Sequence, residues 1–516
     1  MSSKPPWNTN PPRALKRERA YMWQHFKNTR SLLGRQHADT LVAWQQYKNV
    51  NEKVLNFAIR SQIDYERRLG NQISSQPKLF HSYIRHRKMC RPSIGPIKLP
   101  NGDITDDSLS MANCFVHSFA SVFRTEILAH PFLHQICNSR VEQLQITPVI
   151  IENIIGSINL NSAMGDDGIH PRLLESLKHV LSIPLCLIFN SSLQFGILPV
   201  QWLNSTVVPI YKKSHRYNPL NYRPISLTSV TCKLLEKIIV NHLTDYLQLN
   251  NILTPQQYGF RANFSTVDQL ISTYNDITGM IDQGQVVDLV FMDYSKAFDS
   301  VCHQTLLNKL HSIGIQGCLL GWMEVFLCQR RMKVKINSEV SESVYVSSGV
   351  PQGSVLGPLL FLIYINYVVS DVMCYFKIFA DDTKLYLGFN RFDVTSTSNF
   401  QQCINSLTNS SLSWGLEMNS DKCVIMRFCS NSSDIIFSGV SPYHIGGVPM
   451  NFVSSHSDLG ITVDRSLKFH SHISKKVAMA NNITTNLLAC TLSRDAEFLM
   501  NMYTLHARPL IECIFP

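Results

Sequence analysis

The chain of 516 residues is poor in charge: Asp, Glu, Lys and Arg make up 16% of it, while apolar residues make up 45%. A disordered chain needs the opposite balance, and a collagen-like one needs periodic glycine that is absent here. It also lacks a long apolar run. The best stretch, 355–369, carries Asn366 and falls short of the roughly 20 residues a spanning helix needs. No apolar segment follows the N-terminal MSSKPPWNTNPPR, so no secretory signal is expected there. Fourteen cysteines are scattered with no CxxC pair and no Cys/His spacing suited to zinc. Together these absences lead us to expect a soluble intracellular protein with free thiols, no membrane span and no zinc site. They do not distinguish nucleus from cytoplasm.

The length allows three or four structural units. Net charge is +10, and its distribution is uneven. Residues 1–100 hold 19 Lys and Arg against 5 Asp and Glu, whereas the remaining 416 hold 28 against 32. All of the positive excess therefore lies in the first fifth. The spacing of Leu15, Met22 and Phe26 predicts a helix over 13–33, and a similar composition predicts another over 40–69. Trp23, Trp44, Tyr47, Phe57 and Tyr65 are interleaved with the charges. Two readings fit: amphipathic helices with a solvated face, or a nucleic-acid grip in which Lys and Arg neutralise phosphates while rings stack on bases. The one-signed excess favours the grip. Pro92, Pro96, Pro100 and Asn101-Gly102 then mark a boundary.

Beyond about residue 140, helices alternate with short strands. Leu234, Leu235, Ile238, Ile239, Leu243 and Leu247 line one face of a helix over 231–247. Ser265 to Asp268 has capping-box spacing ahead of a periodic run over 267–281. Thr254-Pro255-Gln256-Gln257 has the same spacing with Pro at the first helical position, and predicts a second helix start. Residues 286–292 and 375–380 read as strands, and the last fifty residues as helices. There is no internal repeat.

Two of these segments carry chemistry. VVDLVFMDYSKAFD (286–299) is an apolar strand that delivers Asp293 at its end. CYFKIFADDTKLYL (374–387) reads as a hairpin with Asp381 and Asp382 at its tip. A pair of acids at a turn is commonplace, and alone reads as a solvated tip before it reads as a site. Carboxylates gathered in a fold interior need a cation to neutralise them, and oxygen ligands suit divalent ions shared with water and phosphate.

At this point the chain resembles the reverse transcriptases of non-LTR (LINE-type) retrotransposons. FADD (379–382), the segment from Asp293 to Phe298, and SSGVPQGSVLGPLLFLIYIN (347–366) are similar to that family's motifs C, A and B. NSAMGDDGIHPRLL (161–174), VVPIYKK with NYRPISL (207–227), QYGFRANFST (257–266), GLEMNSDKC (415–423) and SDLGITVDRSLKFHSHI (457–473) resemble further family segments in the same order. The likeness spans about 140–510. It implies an α+β right-hand polymerase of fingers, palm and partial thumb with a helical basic N-terminal extension. The parts expected are 1–139 for the extension, 140–285 for the fingers, 286–463 for the palm and 464–516 for the partial thumb.

The resemblance also implies roles. Asp293, Asp381 and Asp382 would be catalytic and would bind Mg²⁺, with Mn²⁺ as the alternative ion. Phe298 would act as a steric gate against the ribose 2′-hydroxyl, unless it is a core ring. Gln352 and Gly353 would contact the incoming nucleotide, and Arg223 would clamp its triphosphate as a bidentate guanidinium can. Lys212 and Lys213 would assist or be solvated. Lys422 falls where the family carries a candidate general acid, Arg261 would touch the nucleic-acid backbone, and Asp299 matches the pattern without a role. The implied partners are an RNA template, a DNA primer and dNTPs. The expected activity is RNA-directed DNA synthesis by two-metal nucleotidyl transfer. The alternative is a decayed or co-opted RNA-binding protein without polymerase activity. Two departures are evident: Tyr367 stands where the family pattern YIND has an acid, and Met164 stands where a small residue or Pro is common. The family's endonuclease would precede this chain, with Pro6-Trp7-Asn8 resembling the stretch after it, and the C-terminus would fall within the thumb.

Overall fold

The computed structural model describes residues 11–73, 75–87, 94–124, 139–212, 214–390, 394–430 and 443–512. Pro6-Trp7-Asn8 and Lys213 lie outside them. The chain is a mixture of helix and sheet and divides into two compact units, one of residues 1–92 with 468–516 and one of residues 93–467. These divisions fall elsewhere than at the expected 139/140 and 463/464, because the two chain ends share a core.

That shared unit is helical. The helix Arg13–Leu33 matches the predicted span, and Ala38–Gln72 extends the second one at both ends. The two helices pack on each other through rings, with centroids 4.8 Å apart for Phe26–Trp44 and 4.9 Å for Trp23–Tyr47. Aromatics expected among the charges are thus largely spent on the helix pair's own core. Farther along, Leu69, Ile73, Phe80 and Tyr83 form a second core with Leu487, Phe498 and Met502 of the C-terminal helices. Glu66 is fully buried at its edge. It accepts hydrogen bonds from Tyr83 Oη, from Gln62 Nε2 at 2.9 Å, and from the backbone N–H groups of Leu492 and Ser493 at 2.8 and 2.6 Å. One carboxylate so ties residues more than 400 positions apart, satisfying donors that would otherwise be buried without partners.

The other unit holds two five-stranded sheets. In the first, Val286–Met292 is central and buried at every position, which fits its near-continuous apolar run. It pairs antiparallel with Asp382–Phe389 on one side and Val424–Phe428 on the other. Tyr375–Phe379 pairs with Asp382–Phe389 as the outer arm of the expected hairpin. Asp288, in the middle of the buried strand, is held by Arg427 Nε at 2.6 Å and Tyr443 Oη at 2.8 Å. In the second sheet Asn204–Tyr211 lies between antiparallel Tyr222–Leu227 and parallel Arg331–Ile336. The helices Val230–Leu249 and Gly357–Ile365 contribute much of the main core.

The capping box at Ser265 and Asp268 opens the helix Thr266–Asp282 as predicted. No helix starts at Pro255. The backbone there is used differently: Ile378 N donates to Gln256 O and Tyr258 N donates to Ile378 O, so 256–258 adds to the sheet edge beside Tyr375–Phe379. The acids of GDDG are structural. Asp166 holds Thr206 Oγ1 at 2.7 Å and Lys333 at 2.6 Å, and Asp167 accepts from Ser229 at the start of Val230–Leu249.

Candidate active site

The register of the first sheet brings the acids together. Thr383 faces Met292 across the antiparallel pair, so the end of the buried strand and the hairpin tip lie side by side. Asp293 follows the former and Asp381 sits in the latter. Phe379 pairs with Asp382, leaving Ala380-Asp381 as a two-residue turn, with Ala380 at φ +57°. That conformation is unusual for a residue with a Cβ. It is braced from below by Gln257, whose Oε1 accepts from Ala380 N at 3.0 Å and from Gly259 N at 2.8 Å. Gly259 lies so close that a Cβ there would meet Ala380 N at 2.4 Å. Neither brace was singled out in the sequence. The signal was the run QYGF, but its partner lies more than 120 residues away.

Asp293 and Asp381 line a cavity of about 630 Å³, together with Lys212, Arg223, Phe298, Asp299, Arg330, Gln352 and Lys422. Asp382 is not among the lining residues. Side chains alternate along a strand, so Asp382 shares a face with Lys384, which is buried in an ion pair with Asp458 at 2.7 Å. The structure therefore brings two of the three expected acids to the cavity and leaves the third beside it.

Arg223 is exposed on the strand Tyr222–Leu227, and its charge and that of Lys212 reach Asp381. The strand is locked to the turn at Pro351-Gln352-Gly353 by Ser226 N donating to Gln352 O at 2.8 Å. Gly353 has φ +124°, and a Cβ there would lie 2.3 Å from Ser226 O, so only glycine permits this approach. Phe298 stacks on Phe361 at 4.2 Å, with Phe260 edge-on at 6.0 Å. Its ring is thus both a core contact and part of the cavity wall. Gln352 Nε2 donates to Asp299 Oδ1 at 3.0 Å. Lys422 forms an ion pair with Asp293. Arg261 is turned into its own loop, donating to Thr254 O at 2.9 Å and Gln257 O at 3.2 Å and lying over the Phe264 ring. It buttresses the brace under Ala380.

Burial pushes the Asp381 carboxyl up from its ordinary range, and the charge of Asp293 adds to this, while Lys212 and Arg223 pull it down. Burial of the tip, then the charges of Asp381, Asp293 and Asp458, push Asp382 up to about 6, against the pull of Lys384. Burial also pushes Asp299 up to about 6, against the pull of Gln352 and Lys296. Among the described residues no three His, Cys, Asp or Glu converge as a metal site. Two adjacent carboxylates nevertheless suit a hard divalent ion, since Mg²⁺ commonly takes one or two carboxylates and completes its shell with water and phosphate.

Carboxylates that share a cavity with Arg and Lys side chains are suited to reactions at phosphate esters. The comparison with known families is specific: residues 210–463 match the family described as reverse transcriptase (RNA-dependent DNA polymerase). This part of the chain is a reverse-transcriptase domain, and the resemblance stated from the motifs is borne out. The chain is 29% identical over 399 residues to a probable RNA-directed DNA polymerase from transposon BS of Drosophila melanogaster, covering 73% of this chain and 43% of that one. It is 27% identical over 443 residues to the RNA-directed DNA polymerase from mobile element jockey of the same species, covering 82% and 48%. A putative 115 kDa protein of the type-1 retrotransposable element R1DM is 25% identical over 421 residues, covering 80% and 38%. The chain spans less than half the length of these curated relatives. Among the described residues no helix is long and apolar enough to cross a membrane.

Proposed function

We propose that this chain is an RNA-directed DNA polymerase that extends a DNA 3′-end along an RNA template. The reading rests on one observation above all: Asp293 and Asp381 stand at neighbouring strand ends and line one cavity with Arg223 and Lys212, whose charges reach Asp381. In this reading residues 140–285 act as fingers and 286–463 as palm. The basic helices and the C-terminal helices serve as extension and partial thumb.

Asp293 and Asp381 would hold divalent cations, Mg²⁺ first, with Asp382 supporting from the adjacent strand position. Such ions, when bound, activate a 3′-hydroxyl and stabilise the leaving pyrophosphate. The remaining work belongs to side chains. Arg223 and Lys212 bind and orient the triphosphate, for which a guanidinium fork is well shaped. Phe298, fixed by Phe361, excludes a ribose 2′-hydroxyl. Gln352, on the turn that Gly353 allows, contacts the nucleotide. Lys422 neutralises Asp293 until a cation replaces it, and is then free to donate a proton to pyrophosphate. Arg261 reaches nucleic acid only through the loop it supports.

RNA would be held by the basic helices through phosphates, which position it without reading sequence. Because the C-terminal helices pack on the second basic helix, the test of this grip is charge removal in place: changing Arg17, Arg19 and Lys27 to Gln should flatten the salt dependence of RNA affinity by roughly 0.7 in log–log slope for each phosphate no longer neutralised.

The test of the whole reading is primer extension on an RNA template with Mg²⁺ and dNTPs. Asp381→Asn should abolish it and leave RNA affinity nearly unchanged. Extension within a few-fold of the unchanged chain would overturn the assignment. A chain that binds RNA and never extends a primer would be the co-opted binder instead.

A further inference from the structure

Gln352 is placed to meet the nucleotide, but a carboxamide is ambiguous: one end donates, the other accepts, and a half-turn exchanges them. Something must set which end faces the cavity. Asp299 follows Phe298 directly, and its Oδ1 accepts from Gln352 Nε2 at 3.0 Å. An ionised carboxylate is acceptor-only, so it tolerates one orientation of the amide and rejects the other. The backbone that carries this carboxylate is held firmly. Asp299 N donates to Lys296 O at 2.9 Å, and Asp299 O accepts from Ser348 Oγ at 2.8 Å. The two segments are also joined through backbone: Val350 N donates to Phe298 O at 2.9 Å and Gly349 N to Val301 O at 2.8 Å. Gln352 Oε1 has no hydrogen-bond partner among the described residues, and both side chains line the cavity.

We propose that Asp299 is a positioning residue that fixes the Gln352 carboxamide with its nitrogen turned to Asp299 and its oxygen presented to the incoming nucleotide as an acceptor. The proposal rests on the polymerase reading for the identity of the ligand. It gives Asp299 a function through Gln352 and not through the reacting atoms. It also makes the nucleotide's side of the contact a donor, such as a sugar hydroxyl.

Asp299→Asn keeps the volume but offers both a donor and an acceptor, so the Gln352 amide loses its preferred sense. Gln352→Glu sets two carboxylates against each other. Combining the two restores a single sense, because the introduced asparagine amide can donate to one oxygen of the introduced glutamate and leave the other facing the cavity. The measurement is dNTP affinity for the complex of the full chain with an RNA template and a dideoxy-terminated DNA primer, together with KM in primer extension. Each single change should weaken dNTP binding by about tenfold, the worth of one hydrogen bond to a charged group, with most of the loss in KM. The double change should recover most of it, which simple damage to packing would not do. Binding within twofold of the unchanged chain for Asp299→Asn, or a double change no better than the worse single one, overturns the proposal. Absence of dNTP binding in the unchanged chain overturns it as well. Failure of the polymerase reading is separate: it appears as dNTP binding without extension on an unblocked primer.

Discussion

Gly259→Ala should cripple catalysis from outside the cavity. A Cβ added there would lie 2.4 Å from Ala380 N, 3.0 Å from Phe379 C and 3.1 Å from Ala380 Cα. All three are backbone atoms, so no flexible side chain can swing aside. Restoring ordinary contact requires the hairpin tip and the 257–259 segment to separate by about 1 Å, because packed interiors leave no slack. That movement also strains the shared bonds from Ala380 N and Gly259 N to Gln257 Oε1. Asp381 is the next residue in the tip and moves with it. A shift of about 1 Å in a catalytic group can cost roughly 100-fold in rate. Overpacking of this kind costs about 1–3 kcal/mol of stability, which a folded unit can survive. Single-turnover primer extension at saturating dNTP should therefore slow about 100-fold, with template–primer affinity little changed because the basic helices are untouched. A rate within threefold of the unchanged chain, at unchanged thermal stability, would mean that the tip is not held by this contact.

Phe298→Val should raise rNTP use relative to dNTP use by about an order of magnitude or more, since steric exclusion in a packed site is sharp; an unmoved ratio would leave Phe298 as core alone. Glu66→Ala strips acceptors from Tyr83 Oη and from two backbone N–H groups, and should cost the helical unit roughly 3–5 kcal/mol in denaturant unfolding; a loss below about 1 kcal/mol would contradict the network. For Asp299 the pH sign follows from its raised value. The folded state holds the proton up to about pH 6, whereas the unfolded chain releases it near 4, so this group's contribution to stability falls as pH rises between those limits. The stability of Asp299→Asn relative to the unchanged chain should therefore grow by roughly 1–3 kcal/mol from pH 4 to pH 7, and a flat difference would refute the burial of that charge.

What the sequence makes legible is what is local. The strand Val286–Met292 is apolar but for Asp288 and ends just before Asp293, and the helix Thr266–Asp282 announces itself by its capping box. The tip acids sit between two strand-like runs. The same local reasoning fails at Pro255, where capping-box spacing is overridden by backbone pairing to Ile378. It also treats Asp381 and Asp382 alike, although strand alternation separates them and only Asp381 enters the cavity. The GDDG acids carry no local sign that Thr206, Lys333 and Ser229 hold them. Contacts across hundreds of residues leave no periodic trace. This is why the Glu66 network, the Gln257 brace and the pairing of Asp299 with Gln352 needed coordinates.

The departure at Tyr367 gains its meaning from the same distinction. It does not line the cavity. Its ring lies 5.3 Å from Lys309 Nζ, which also sits 3.4 Å from the centre of the Trp414 ring and 4.9 Å from that of Tyr364, and donates to Tyr364 O. Lys309 is fully buried, and burial holds its ammonium well below the usual range. An acid at position 367 would stand beside this lysine and could pair with it. Here rings surround the lysine instead, supplying cation–π contact in place of an ion pair. The exchange alters how a core charge is accommodated, away from the cavity that Asp293, Asp381, Arg223 and Gln352 line. A motif read as a string gives both kinds of position equal weight. The fold places one in the cavity lining and the other in the packing behind it.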